Sequence, residues 1–219
     1  RYAVQIQCVM DELIYALEII GAAAFAVSGA MAALEHDADI FGVIFLAVVT
    51  ALGGGVIRDL LLGLTPPKMF VSYVYLAVAA LAALVVFADA YVRREKYRKR
   101  RDKLDSINNM FDAVGLAVFT VSGMNTAMQQ SDNVLLILVL GMSTGVGGGM
   151  LRDMMINKMP KVLRKRVYAV ASLLGGGVYY GLFALGVHET IAAVSGMAVI
   201  IALRVLATVY KWNLPAIRS

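Results

Sequence analysis

Cysteine is almost missing from this sequence: Cys8 stands alone among 219 residues. No internal disulfide can form, and no cysteine-based metal centre can be assembled. Only two histidines occur, His36 and His188, far apart and beside polar connections. With no His/Cys cluster at ligand spacing, no metal site is expected. Charge is scarce as well: Asp, Glu, Lys and Arg make up 16% of the chain, against about a quarter in ordinary soluble domains. Walker-type and zincin signatures are absent. The sequence therefore offers no footing for an enzyme, and neither a catalytic residue nor a cofactor is expected.

What is abundant is apolar. Hydrophobic residues form 60% of the chain and the mean hydropathy is +0.76. A soluble core of this size would need charges spread through every amphipathic segment. Here most basic residues gather in short stretches between long apolar runs, which is the pattern of an integral membrane protein. The net charge of +5 is placed for membrane topology rather than for nucleic acid.

A helix crossing the ~30 Å hydrocarbon core takes about 20 mostly apolar residues. Seven segments meet that length, roughly 12–34, 40–63, 70–92, 109–129, 134–156, 164–186 and 189–210. The fold class expected is thus all-α and integral to the membrane. One side of the bilayer receives eight basic residues from Arg93 to Lys103, five from Lys158 to Arg166, and Lys211 and Arg218. The other receives only Arg1 and Lys68. An excess of Lys and Arg marks the cytoplasmic side, so the N-terminus is expected outside and the C-terminus in the cytoplasm. No cleavable signal peptide is evident.

Shifted by 94 residues, the sequence overlays itself. Gly21, Phe25, Ser28 and Gly29 fall on Gly115, Phe119, Ser122 and Gly123. Thr50, the triplet Gly53-Gly54-Gly55 and Arg58-Asp59 fall on Thr144, Gly147-Gly148-Gly149 and Arg152-Asp153. Pro66 falls on Pro160, and the acid Glu18 on the acid Asp112. The implied organisation is a first three-helix repeat over 1–92, a basic linker over 93–108, a second repeat over 109–186, and a seventh helix with its tail over 187–219. Three spans per repeat is an odd number, so the second copy must lie upside down relative to the first. Inverted repeats with interrupted helices are a recurrent plan for moving small solutes or ions.

Three consecutive glycines cost roughly 1 kcal/mol each relative to alanine within a helix in water. A break or kink is therefore expected at each triplet, with freed carbonyls facing protein or a water-filled cavity. Such carbonyls suit a dehydrating alkali cation. Thr50 and Thr144 would add hydroxyl oxygens, and Ser28 and Ser122 complete the set expected along an ion pathway. The bland alternative for the triplets is close helix packing, and that is the role expected of a further triplet, Gly175-Gly176-Gly177.

Ionisable groups inside spans are costly and mark cavities or buried partners. Arg58 and Asp59 are neighbours on one helix and are expected to point apart, as are Arg152 and Asp153. With ~1.5 Å of rise per residue, Arg58 and Arg152 lie on opposite sides of the midplane, about 20 Å apart in depth. Glu18 and Asp112 share those depths. Two clusters are predicted, Glu18 near Arg58 and Asp112 near Arg152, acting as gates or as structural struts. Arg204 is expected to snorkel to the surface.

Seven spans as three, three and one, with Gly-Gly-Gly-x-x-Arg-Asp in the second and fifth, resemble the prokaryotic members of the trimeric intracellular cation channel family. The resemblance implies a homotrimer with a pore in each subunit, lined chiefly by the first, second, fourth and fifth helices. It implies passive permeation of potassium, with sodium admitted less selectively, and residence in the plasma (inner) membrane. Other expected partners are membrane lipids, with anionic headgroups on the basic 93–103 segment. The same repeat unit resembles a bacterial domain named for glycine transport, so a secondary carrier of a small zwitterion stays open, as does a membrane scaffold.

Overall fold

The computed structural model describes residues 2–93, 101–164, 167–210 and 212. All regular structure among them is helical: α1 (Tyr2–Leu34), α2 (Ile40–Leu61), α3 (Lys68–Val71), α4 (Tyr73–Val92), α5 (Arg101–Met128), α6 (Val134–Met155), α7 (Lys161–Arg164), α8 (Val167–Ala184) and α9 (Glu189–Val209). Six segments are long and apolar enough to cross a membrane: 14–34 within α1, and α2, α4, α6, α8 and α9. α5 misses that standard because it carries the polar Asn108, Asp112, Thr120 and Ser122, all buried inside the fold. It packs against α1, α6, α8 and α9, so those groups meet protein rather than lipid.

The matching ends of matching helices are built alike. Asp39 accepts the Gly42 N–H at 2.8 Å and caps α2. Ninety-four residues on, Asn133 caps α6 by accepting the Leu135 and Leu136 N–H groups at 3.0 and 3.2 Å. Both are side chains that satisfy orphan donors at a helix start. Just past the C-termini, Gly63 (φ 69°) and Asn157 (φ 55°) take the left-handed conformation that ends helices.

Contacts between the repeats are reciprocal. An added Cβ on Gly54 would meet the Thr144 carbonyl, and one on Gly148 the Thr50 carbonyl, each at 2.0 Å. Gly53 faces Leu151, and Gly147 faces its counterpart Ile57. Phe25 stacks on Phe119 with centroids 5.5 Å apart and planes 7° from parallel. A contact repeated with its two partners exchanged is the signature of a two-fold relation. Low numbers on α2 meet high numbers on α6, so the two copies run antiparallel, as an inverted repeat must. α1, α2, α5 and α6 form the centre, α4 and α8 flank it, and α9 packs on α8 and α5.

One expectation is corrected here. Both triplets lie inside uninterrupted helices, α2 and α6. The glycine cost is offset because the missing side chains let two helix backbones touch, the close-packing role. Residues 101–108 of the basic linker continue as the first turns of α5, and Asn108 is already buried. Residues 94–100, with most of the proposed headgroup-binding charges, lie outside the described residues. Close packing does hold for Gly175 and Gly176, where a Cβ would meet Ile200 and Met124, whereas Gly177 faces open space.

Candidate functional site

The carboxylate of Glu18 on α1 is 4% exposed and is held by three elements. Lys68 Nζ donates to Oε2 at 2.9 Å, and Tyr75 Oη donates to the same oxygen at 2.5 Å. Ser122 of the other repeat donates its hydroxyl to Oε1. That same hydroxyl accepts Arg58 Nη1 at 3.5 Å, which places Arg58 beside Glu18 through a shared serine.

The second cluster is the inverted counterpart. Arg152 Nη1 donates to Asp112 Oδ1 at 2.7 Å and to Ser28 Oγ of the first repeat at 2.6 Å. Ser28 in turn donates to Asn108 Oδ1 at 2.6 Å. The predicted pairing of acid and arginine in each half is therefore present, direct in one cluster and bridged in the other. Ser28 and Ser122 join the cluster of the opposite repeat because α1 and α5 are antiparallel. Ten residues separate Glu18 from Ser28 along α1, so the clusters lie about 15 Å apart. Phe25 and Phe119 stack in the interval.

Adjacent Arg and Asp do not point apart, contrary to expectation. Arg58 Nε reaches Asp59 Oδ1 at 2.8 Å, and Arg152 Nε reaches Asp153 Oδ1 at 2.9 Å. The arginine stem is long enough to fold back along its own helix. The second oxygen of each aspartate accepts the first N–H of the following short helix, Lys68 N to Asp59 at 2.9 Å and Lys161 N to Asp153 at 2.8 Å. Each Arg-Asp pair thus fixes the turn that delivers a lysine to the cluster.

Arg204 also departs from expectation. It is 3% exposed, with Nη2 3.3 Å from Asp112 Oδ2 and its guanidinium 4.4 Å from the Tyr168 ring centroid. A carboxylate and an aromatic face inside the protein outcompete the climb to the surface. Thr50 and Thr144 are buried, and each hydroxyl donates to a carbonyl of its own helix, Leu46 and Leu140, at 2.6 Å.

Each cluster borders an open cavity, the first through Glu18, Arg58 and Asp59 and the second through Arg152 and Asp153. Glu12, Glu18, Arg58, Asp59, Lys68 and Gln129 border a volume of about 660 Å³. Glu35, Asp105, Asn109, Arg152, Lys158 and Lys161 border one of about 420 Å³. No lining residue is shared between the two. Gly55 borders a small side pocket with Glu18, Arg58 and Tyr75. Gly53, Gly54, Gly147, Gly148 and Gly149 border none of the three. Outside the spans, burial pushes the Lys161 amine down to about 8, opposed by the neighbouring Asp112 carboxylate. Burial, then the charge of Glu35, pushes the Asp105 carboxyl up.

Known proteins share this plan. The glycine transporter family matches twice, over residues 15–90 and 109–184. The UPF0126 inner membrane protein YadS of Escherichia coli K12 is 36% identical over 93% of this chain and 95% of its own. A UPF0126 membrane protein of Vibrio cholerae is 37% identical over 93% of this chain and 82% of its own. A structure described under conductance through TRIC cation channels is 36% identical, with a TM-score of 0.78, covering 93% of this chain and 96% of the other. The Rhodobacter sphaeroides orthologue of the trimeric intracellular cation channel is 32% identical, with a TM-score of 0.82, covering 91% and 99%. The chain belongs to the prokaryotic trimeric intracellular cation channel family. Membership of the TRIC family agrees with the apolar helices and with relatives named as membrane proteins.

Motif spacing alone missed Lys68, Tyr75, Lys161, Tyr168 and Asn108. A signal for four of them was present: after the Pro66 and Pro160 turns the offset slips from 94 to 93, bringing Lys68 onto Lys161 and Tyr75 onto Tyr168.

Proposed function

We propose that this chain is a passive, potassium-permeable monovalent cation channel, with a pore inside each subunit of a homotrimer. The observation that carries this reading is a pair of open cavities, each bordered by a buried carboxylate, at opposite ends of one inverted-repeat interface. Glu12 and Glu18 on one side and Glu35 and Asp105 on the other provide oxygens that draw a hydrated cation in. Fixed guanidinium groups oppose a cation, so Arg58 and Arg152 hold the pathway shut in this arrangement. Between them, the seam of α2 against α6 at the triplets and the Phe25–Phe119 stack form the constriction. Without Cβ atoms, the two helices can slide and part there with little steric resistance. Sodium passes less readily than potassium.

In this reading α5 is the seventh span, its polar face turned to the pathway. The Asp112 mouth faces the cytoplasm, since most basic residues flank it, and the protein resides in the inner membrane. The 1–92 and 109–186 units act as two halves of one pore.

A secondary carrier of a small zwitterion is favoured by one observation: each mouth pairs a carboxylate with a guanidinium, the two groups that glycine needs. Proteoliposomes separate the readings. The channel account predicts rapid collapse of an imposed potassium gradient without added solute. Saturable uptake of labelled glycine with no potassium leak would establish the carrier.

A further inference from the structure

The two mouths are not charged alike. At one, the cations Arg58 and Lys68 face the carboxylates Glu18 and Asp59. At the other, the unduplicated α9 adds Arg204, so Arg152, Lys161 and Arg204 share the two buried carboxylates Asp112 and Asp153, with Glu35 and Asp105 further out along the cavity wall. The consequence falls on the lysine. Lys68 holds its carboxylate at 2.9 Å with its side chain half exposed. Lys161 is third in line for Asp112, at 3.8 Å behind Arg152 at 2.7 Å and Arg204 at 3.3 Å. Its nearest acceptor is the neutral Asn109 amide oxygen at 3.2 Å. The shorter arm contributes too, since Asp112 has one methylene fewer than Glu18, and the hydroxyl of Tyr168 has no partner where Tyr75 donates to Glu18.

We propose that Lys161 is the titratable residue that sets cation passage through the Asp112 mouth. Protonated, it leaves that mouth with one cation more than the buried carboxylates neutralise, and it repels the permeant ion. Deprotonated, it balances the cluster and passage increases. The groups facing it are Glu35 at the end of α1, Asp105 and Asp112 on α5, Arg152 and Asp153 on α6, Lys158 in the following turn, Tyr168 on α8 and Arg204 on α9. Glu35 is itself engaged by Lys158 at 3.0 Å, and the carboxylate nearest Lys161, Asp112, is shared with Arg152 and Arg204. The lowered affinity of this amine for its proton puts the transition within reach of ordinary pH.

This inference rests on the channel reading, and the test keeps the two apart. Potassium currents are recorded in planar bilayers while the pH on each side is raised separately from about 7 to about 9, the range in which a buried lysine titrates. The wild-type current should rise several-fold when the Lys161 side is made alkaline and stay level when the Glu18 side is. Lys161→Met should conduct strongly at every pH, and Lys161→Arg weakly at every pH. A wild-type current indifferent to pH, or a Lys161→Met variant that keeps the rise, overturns the proposal and leaves the channel intact. No current from any variant at any pH overturns both. Independently of flux, amine labelling in nanodiscs read by mass spectrometry should show Lys161 reacting at lower pH than Lys158. A midpoint matching that of Lys158 would refute the proposal.

Discussion

Gly54 on α2 and the carbonyl of Thr144 on α6 are so close that a Cβ built on the glycine would lie 2.0 Å from the oxygen. Gly148 and the carbonyl of Thr50 repeat the contact across the two-fold axis, also at 2.0 Å. Alanine at either position forces two helix backbones apart, and overpacking of this kind costs about 1–3 kcal/mol. Gly54→Ala and Gly148→Ala should each lower the thermal midpoint of the purified protein by a similar amount. Gly177→Ala, which meets nothing within 4 Å, should not lower it. Equal midpoints for all three would remove the packing role assigned to the triplets.

Asp112 is fully buried and takes contacts from Arg152 and Arg204. Removing the carboxylate charge leaves two buried guanidinium groups short of a partner, a loss of about 3–5 kcal/mol when a buried pair is broken. Asp112→Asn should therefore destabilise the protein more than Glu18→Gln, since the partner lysine of Glu18 is half exposed and can turn to water. Adding Arg204→Met to Asp112→Asn should recover part of the loss, as double-mutant coupling requires. Unfolding in denaturant measures Asp112→Asn, Glu18→Gln, Arg204→Met and the double variant. A Glu18→Gln effect as large as that of Asp112→Asn would contradict the asymmetry.

Asp105 holds its proton more tightly than usual because burial and the charge of Glu35 disfavour its carboxylate. For a carboxyl raised in the folded state, the associated stability is present in acid and is lost as pH rises through the raised value. Above the raised value the charged Asp105 therefore weighs against folding. Asp105→Asn should raise the thermal midpoint slightly at neutral pH, and the gain should vanish in acid, where Asp105 is itself neutral. Midpoints of both proteins across that pH range provide the check.

Much of this architecture was legible in the residues. The repeat predicted the inversion, and with the helical rise it put Glu18 and Asp112 at the depths of Arg58 and Arg152, where the clusters lie. The partners from outside the motif were harder to read: the 93-residue offset links Tyr75 with Tyr168 but not with the acids, and Arg204, on the unduplicated α9, carries no repeat signal at all. The triplets misled because the glycine cost applies to a helix in water, while α2 and α6 sit against each other. The Arg-Asp pairs misled because residue spacing describes Cβ directions, and a guanidinium on a long stem can still return to its neighbour.

The central claim is that the two charged mouths belong to a pore for monovalent cations. Its most direct test is the reversal potential of the purified protein in a planar bilayer between unequal potassium chloride solutions. Unitary currents that reverse close to the potassium equilibrium potential are the predicted result. Reversal close to the chloride potential, or a silent bilayer from protein that takes up labelled glycine in vesicles, would contradict it.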